Sequence, residues 1–186
     1  MNIKPTLVLT FVTAIIAALL IVAHNLTYVD TSGIITDKLR AKCEELMGSG
    51  EYSIVTDWQT EGYLIDKPDD IQKLIRKDDG KIAFEIVANG YNKGGLDLLI
   101  SMNDDGSVGG IAVVSITETP GLGTNVNDPG FLSLFCGLST DAVIVKKTPS
   151  ETNEVEAVTG ATYSSKGVAS AVNTAIRVYS EMGVSR

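Results

Sequence analysis

The sequence predicts an α+β fold: an antiparallel β-sheet with flanking helices, preceded by a single N-terminal transmembrane helix. Three patterns predict it. An uncharged apolar run opens the chain, alternating segments joined by turn residues fill its middle, and helical periodicity marks both sides of those segments.

Thr6 to Ala23 is the apolar run, and Lys4 is the only charged residue before His24. Eighteen helical residues span roughly 27 Å, about the thickness of a bilayer's hydrocarbon core. A cleaved signal peptide would want a more basic start and a small-residue exit. Ile21-Val22-Ala23-His24-Asn25 lacks that exit. Residues 1–24 are therefore expected to anchor the chain in membrane lipid, and residues 25–186 to form an extracytoplasmic domain. The side follows from Lys4 and the terminal amine, which favour a cytoplasmic N-terminus.

Asn25 to Gly33 reads as a linker. Thr36 or Asp37 is placed to cap a helix ending near Met47, where Gly48-Ser49-Gly50 stops it. Strands are expected over 81–88, 96–102 and 108–116, with Asn103-Asp104-Asp105-Gly106 as the turn between the last two. In the second strand Leu96, Leu98, Ile100 and Met102 share one face, and Asp97 and Ser101 the other. A short helix over 131–136, a strand over 142–146 and a last helix from about Ser164 to about Met182 complete the pattern. Val168, Val172, Ile176 and Tyr179 give that last helix its apolar stripe.

Composition removes whole classes of function. Beyond residue 24 the chain carries 14 basic and 23 acidic residues. Such a surface repels phosphate backbones, so no nucleic acid partner is expected. The single histidine, His24, rules out a histidine-based triad or a His-rich metal site within this chain. Cys43 and Cys136 stand far apart and cannot by themselves hold zinc or an iron–sulfur cluster; they read as free thiols or a disulfide, the thiols being favoured. No metal site and no catalytic side chain are expected, so any redox chemistry needs an organic cofactor.

One segment carries the chemistry. Glu156 to Thr162 reads E-A-V-T-G-A-T and runs into Tyr163, Ser164 and Ser165. This is a loop of small residues entering a helix. A helix N-terminus offers unpaired N–H groups and partial positive charge, which suit a phosphate. Taken alone, the same residues would more often be plain helix caps. The second segment is Glu118-Thr119-Pro120-Gly121-Leu122-Gly123, in which Pro-Gly fits the centre of a type II turn.

These two segments resemble the FMN-binding domain family. The first is similar to its flavinylation motif, an acidic residue, two others, then Ser/Thr-Gly-Ala-Thr; the second resembles its flavin-facing loop, in the form found in the G subunits of Rnf electron-transport complexes. The likeness covers roughly residues 80 to 180. It implies that a flavin transferase moves FMN from FAD onto Thr162 as a phosphodiester, with Thr159, Gly160 and Ala161 as the preceding motif. Ser164, Ser165 and the stretch Glu118, Thr119, Pro120, Gly121, Leu122 and Gly123 are implied to border the cofactor. Glu156 stands where the family usually has Asp, which lengthens the carboxylate's reach by one methylene.

The resemblance further implies an electron relay among other membrane subunits of an Rnf-type complex, moving electrons between ferredoxin and NAD with Na+ or H+ translocation. The C subunit of the Na+-translocating NADH:quinone oxidoreductase shares motif and topology and is the nearest alternative. An anchored flavin-binding sensor without turnover is the alternative from another class.

Overall fold

The computed structural model describes residues 3–27, 33–145 and 148–183. Its contacts divide the chain into two units, Met1–Thr31 and Ser32–Arg186.

The first unit contains α1, Ile3–Thr27. Within it Leu7–Thr27 has a mean hydropathy of 2.6 and is long and apolar enough to cross a membrane. The helix continues past Ala23 because His24, Asn25 and Leu26 contain no breaker.

The second unit holds both hydrophobic clusters and so has a core of its own. Helix α2 (Asp37–Met47) is capped by Thr36, whose side chain accepts from the Leu39 N–H. Five strands follow: β1 (Tyr52–Val55), β2 (Ile71–Lys77), β3 (Ile82–Ala88), β4 (Leu96–Met102) and β5 (Val108–Ile116). They pair in sequence order, every pair antiparallel. Gly106 takes φ +83° in the turn between β4 and β5, as the Asp-Gly pair there requires.

Helix α2 covers one face of the sheet, laying Leu39, Cys43 and Met47 on Ile75, Ala83, Leu99 and Val114. The other face meets α4 (Thr162–Glu181), whose Val168, Val172 and Ala175 join Phe84, Leu98 and Ile100 in the larger cluster. With both faces covered, β3 and β4 are buried almost end to end, and even Ser101 lies inside.

Three strands, β1, β2 and the short β7 (Glu154–Glu156), were not legible. The charged positions of β2 conceal it, and two of its lysines gain long-range partners only in the fold. Lys73 pairs with Glu85 of β3 at 2.6 Å, and Lys77 donates to the Met47 carbonyl. The short helix α3 starts earlier than expected, at Pro129, and ends at Ser133. Asp128 caps it through the Phe131 N–H, and proline is suited to the first helical position. Strand β6 (Val143–Val145) pairs in parallel with β7 (Glu154–Glu156); Lys146, the expected end of β6, lies outside the described residues. Both cysteines are free thiols.

A polar cluster sits beneath α2. Burial pushes the Asp97 carboxyl up to about 6, helped by the charge of Glu85 and opposed by Lys73 and Lys38. Its Oδ1 is buried without a hydrogen-bond partner. A raised carboxyl binds its proton more tightly when folded than when unfolded. Asp97 therefore costs stability progressively as pH rises from about 4 to about 6. Asp97→Asn is expected to raise stability near neutral pH by roughly 1–2 kcal/mol, the full shift being reduced by partial solvent access. Urea unfolding at about pH 5 and about pH 7.5 tests this through the linkage slope. The gain should be larger at the higher pH, and an Asn variant less stable than the parent there would contradict it.

Candidate functional site

The site is built where three segments converge: the loop after β3, the loop after β5 and the start of α4. The motif segment leaves β7 at Glu156 and folds into a turn closed by the Ala161 N–H to the Val158 carbonyl, at 2.9 Å. Gly160 has φ +78° in that turn, a conformation that side chains resist. The Oγ of Ser165 accepts from the Val158 N–H at 3.1 Å and so ties the turn to the helix it precedes.

Helix α4 begins two residues earlier than the serines suggest. Thr162 is its first residue, and Ala161 precedes it with no side-chain cap. The first N–H groups of a 20-residue helix are thus left to a ligand or solvent. Thr162 is half-buried, Thr159 and Gly160 are exposed and Ala161 is buried. Ser164 and Ser165, expected from the sequence to border the cofactor, are 1% and 0% exposed. Their positions in the first turn direct them into the protein.

The loop after β5 turns at Pro120-Gly121, closed by the Leu122 N–H to the Thr119 carbonyl, with Gly121 at φ +73°. Asn125 Nδ2 donates to the Gly121 carbonyl and Thr124 Oγ1 accepts from the Gly121 N–H, which fixes the turn from below. Glu118 does not border open space. It is 4% exposed and accepts from the N–H groups of Tyr91 and Asn92 and from the Ser164 hydroxyl. Burial alone would push its carboxyl up. The Ser164 hydroxyl and the two N–H groups outweigh that and hold it below the ordinary carboxylate range. The stability it contributes is present above that range and is lost as pH falls through the lowered value.

Between these segments lies a cavity of about 370 Å³. Thr119, Leu122 and Gly123 form one side of it, and Gly160, Ala161, Thr162 and Ser164 another. Seven of the twelve residues expected from the sequence therefore meet at one opening. Thr159, Ser165, Glu118, Pro120 and Gly121 do not line it. Two residues outside the expected cofactor-binding set do: Tyr91 and Tyr163, exposed and packed edge to face with ring centroids 6.3 Å apart. Tyr163 follows the motif directly, but only the fold brings Tyr91 to it. Among the described residues no group of three His, Cys, Asp or Glu side chains could hold a metal ion.

Comparison with known proteins points to the same segments. Residues 90–177 match the model of the FMN-binding domain family. The chain is 37% identical over 102 residues to the G subunit of the proton-translocating ferredoxin:NAD(+) oxidoreductase complex of Clostridium ljungdahlii, covering 54% of this chain and 55% of that protein. It is 34% identical over 125 residues to the G subunit of the Na(+)-translocating ferredoxin:NAD(+) oxidoreductase complex of Acetobacterium woodii, covering 63% of this chain and 60% of that one. The match thus spans little more than half the length of these relatives. In three dimensions the chain is similar to the C subunit of the Na(+)-translocating NADH-quinone reductase of Parabacteroides distasonis, with a TM-score of 0.53 and 22% identity over 82% of this chain and 86% of that one. That likeness concerns the fold. The family match thus identifies an FMN-binding domain at residues 90–177 of this chain.

Proposed function

We propose that the chain is the flavin-bearing subunit of an Rnf-type ferredoxin:NAD oxidoreductase, with FMN held as a phosphodiester on Thr162 and the domain facing the outer side of the membrane. The observation that carries this reading is the placement of Thr162 at the uncapped start of α4, on the wall of an apolar cavity flanked by Tyr91 and Tyr163. The residues present fit the group. An open helix N-terminus suits its phosphate, and aromatic and apolar walls suit its ring.

The attachment balances as a phosphoryl transfer. Oγ1 of Thr162 would bond to the FMN-side phosphorus of FAD, losing its proton as the bond to the AMP half breaks and AMP leaves. A flavin transferase would supply the base for this step, since among the described residues no carboxylate, lysine or histidine lines the cavity. Once bound, FMN supplies one- and two-electron redox chemistry. The protein's own part is to hold it: Thr162 as the covalent tether, Leu122 and the tyrosines as walls, Gly123 and Gly160 as points of close backbone approach.

The names of the two sequence relatives support an Rnf-type complex over the quinone oxidoreductase, whose subunit shares the fold at lower identity. Those names carry different coupling ions and so assign none here. Partners would be other membrane subunits of such a complex, with α1 inserted in lipid.

Protein produced together with a flavin transferase should keep yellow fluorescence in a denaturing gel. Flavin that binds the native protein but leaves on denaturation would favour the sensor reading.

A further inference from the structure

Glu118 follows β5 yet is buried among backbone. Its Oε2 accepts from the Tyr91 N–H at 3.0 Å and the Ser164 hydroxyl at 2.5 Å, and its Oε1 accepts from the Asn92 N–H at 2.9 Å. These donors belong to two segments distant in sequence, and Glu118 itself belongs to a third. The packing around the carboxylate leaves no room for side chains. A Cβ added at Gly90 would lie 2.7 Å from Glu118 Cδ, and one at Gly123 would lie 2.7 Å from its Oε2. One at Gly95 would overlap Oε1 more closely still. Three glycines thus surround one acid. Among the described residues no cation pairs with it; N–H dipoles and a hydroxyl replace a counter-ion.

We infer that Glu118 is a positioning residue for the flavin site: without lining the cavity, it locks the loop carrying Tyr91, the Thr119–Gly123 loop and the first turn of α4 into the arrangement that forms it. The inference rests on the reading of that cavity as the flavin site. The chemistry of the side chain is specific. Aspartate is one methylene short. Glutamine can keep an oxygen for Tyr91 and Ser164 but then turns an amide NH2 toward the Asn92 N–H, donor against donor.

The test compares full-length parent protein, Glu118→Gln and Gly90→Ala, the last displacing the carboxylate without removing its charge. Hydrogen exchange is read residue by residue before flavin is attached. In both variants the Tyr91 and Asn92 amides should exchange at least about tenfold faster, with little change in the centres of β3 and β4. After loading with a flavin transferase, the absorption maximum and midpoint potential, read per attached flavin, should shift in the same direction in both. If one variant does not fold, the other decides. Unchanged exchange at Tyr91 and Asn92, or faster exchange spread evenly through the sheet, overturns the inference. So does an unaltered flavin spectrum and potential in the folded variants. Should the parent hold no covalent flavin, the Thr162 reading fails, while the exchange data still decide whether Glu118 binds the three segments together.

Discussion

Thr162→Ala is expected to abolish covalent flavin while leaving the domain folded. The loss should be complete, because alanine has no oxygen to form the ester. Neighbouring hydroxyls do not offer a substitute. Ser164 and Ser165 are buried and engaged, one donating to Glu118 and the other accepting from Val158. Thr159 is exposed but lies outside the cavity wall. Stability should change by less than about 0.5 kcal/mol. The threonine caps nothing, since Ala161 occupies the cap position, and alanine is the better helix former. In-gel fluorescence and a urea melt read both halves of the expectation. Thr159→Ala should retain attached flavin. A fluorescent Thr162→Ala band would move the acceptor elsewhere.

The second large effect concerns α1. Full-length protein is expected to stay in the membrane fraction through high-salt and carbonate washes, and a chain beginning at Gly33 to be recovered in solution. The 21 residues of Leu7–Thr27 are apolar enough to span a bilayer, and all the buried residues of both cores lie beyond them. Removing α1 therefore takes away the anchor without opening the domain. Loss of full-length protein into the carbonate supernatant would contradict the anchor. A thiol label too large to cross the membrane, directed at the exposed Cys136, tests the side: labelling in intact cells supports the outer placement, and protection would reverse it.

Much of the fold was legible because local signals and tertiary packing agree. The Thr36 cap, the Asp105-Gly106 turn and the apolar runs of β3, β4 and β5 each specify one local answer, and the sheet accepts them. The signals failed where pairing decides. Strand β2 reads as charged because Lys73 meets Glu85 only across the sheet and Lys77, beside its local partner Asp79, reaches the Met47 carbonyl only once α2 is packed. Strand β7 is three residues long and exists by pairing with β6.

At the site, the motif located the start of α4 to within two residues, and the Pro-Gly turn formed as its composition requires. Direction was the harder property. Sequence spacing does not say whether a side chain faces a cavity or the interior, so Glu118 and Ser165 were expected to border the cofactor and instead lie buried off the cavity, whereas Ser164 is buried and lines it. Tyr91 was illegible for a related reason. It lies 72 positions from Tyr163 in sequence, and only the packing of α4 against the sheet brings the two rings together.

Attachment of FMN at Thr162 is a single bond, so peptide mass spectrometry of flavin-loaded protein tests it most directly. Digestion under denaturing conditions should yield one peptide bearing FMN, fragmentation should place the added mass on Thr162, and the peptide's serines should be unmodified. Flavin on Ser164, Ser165 or Thr159, or a motif peptide free of flavin from protein that was yellow before denaturation, would contradict it.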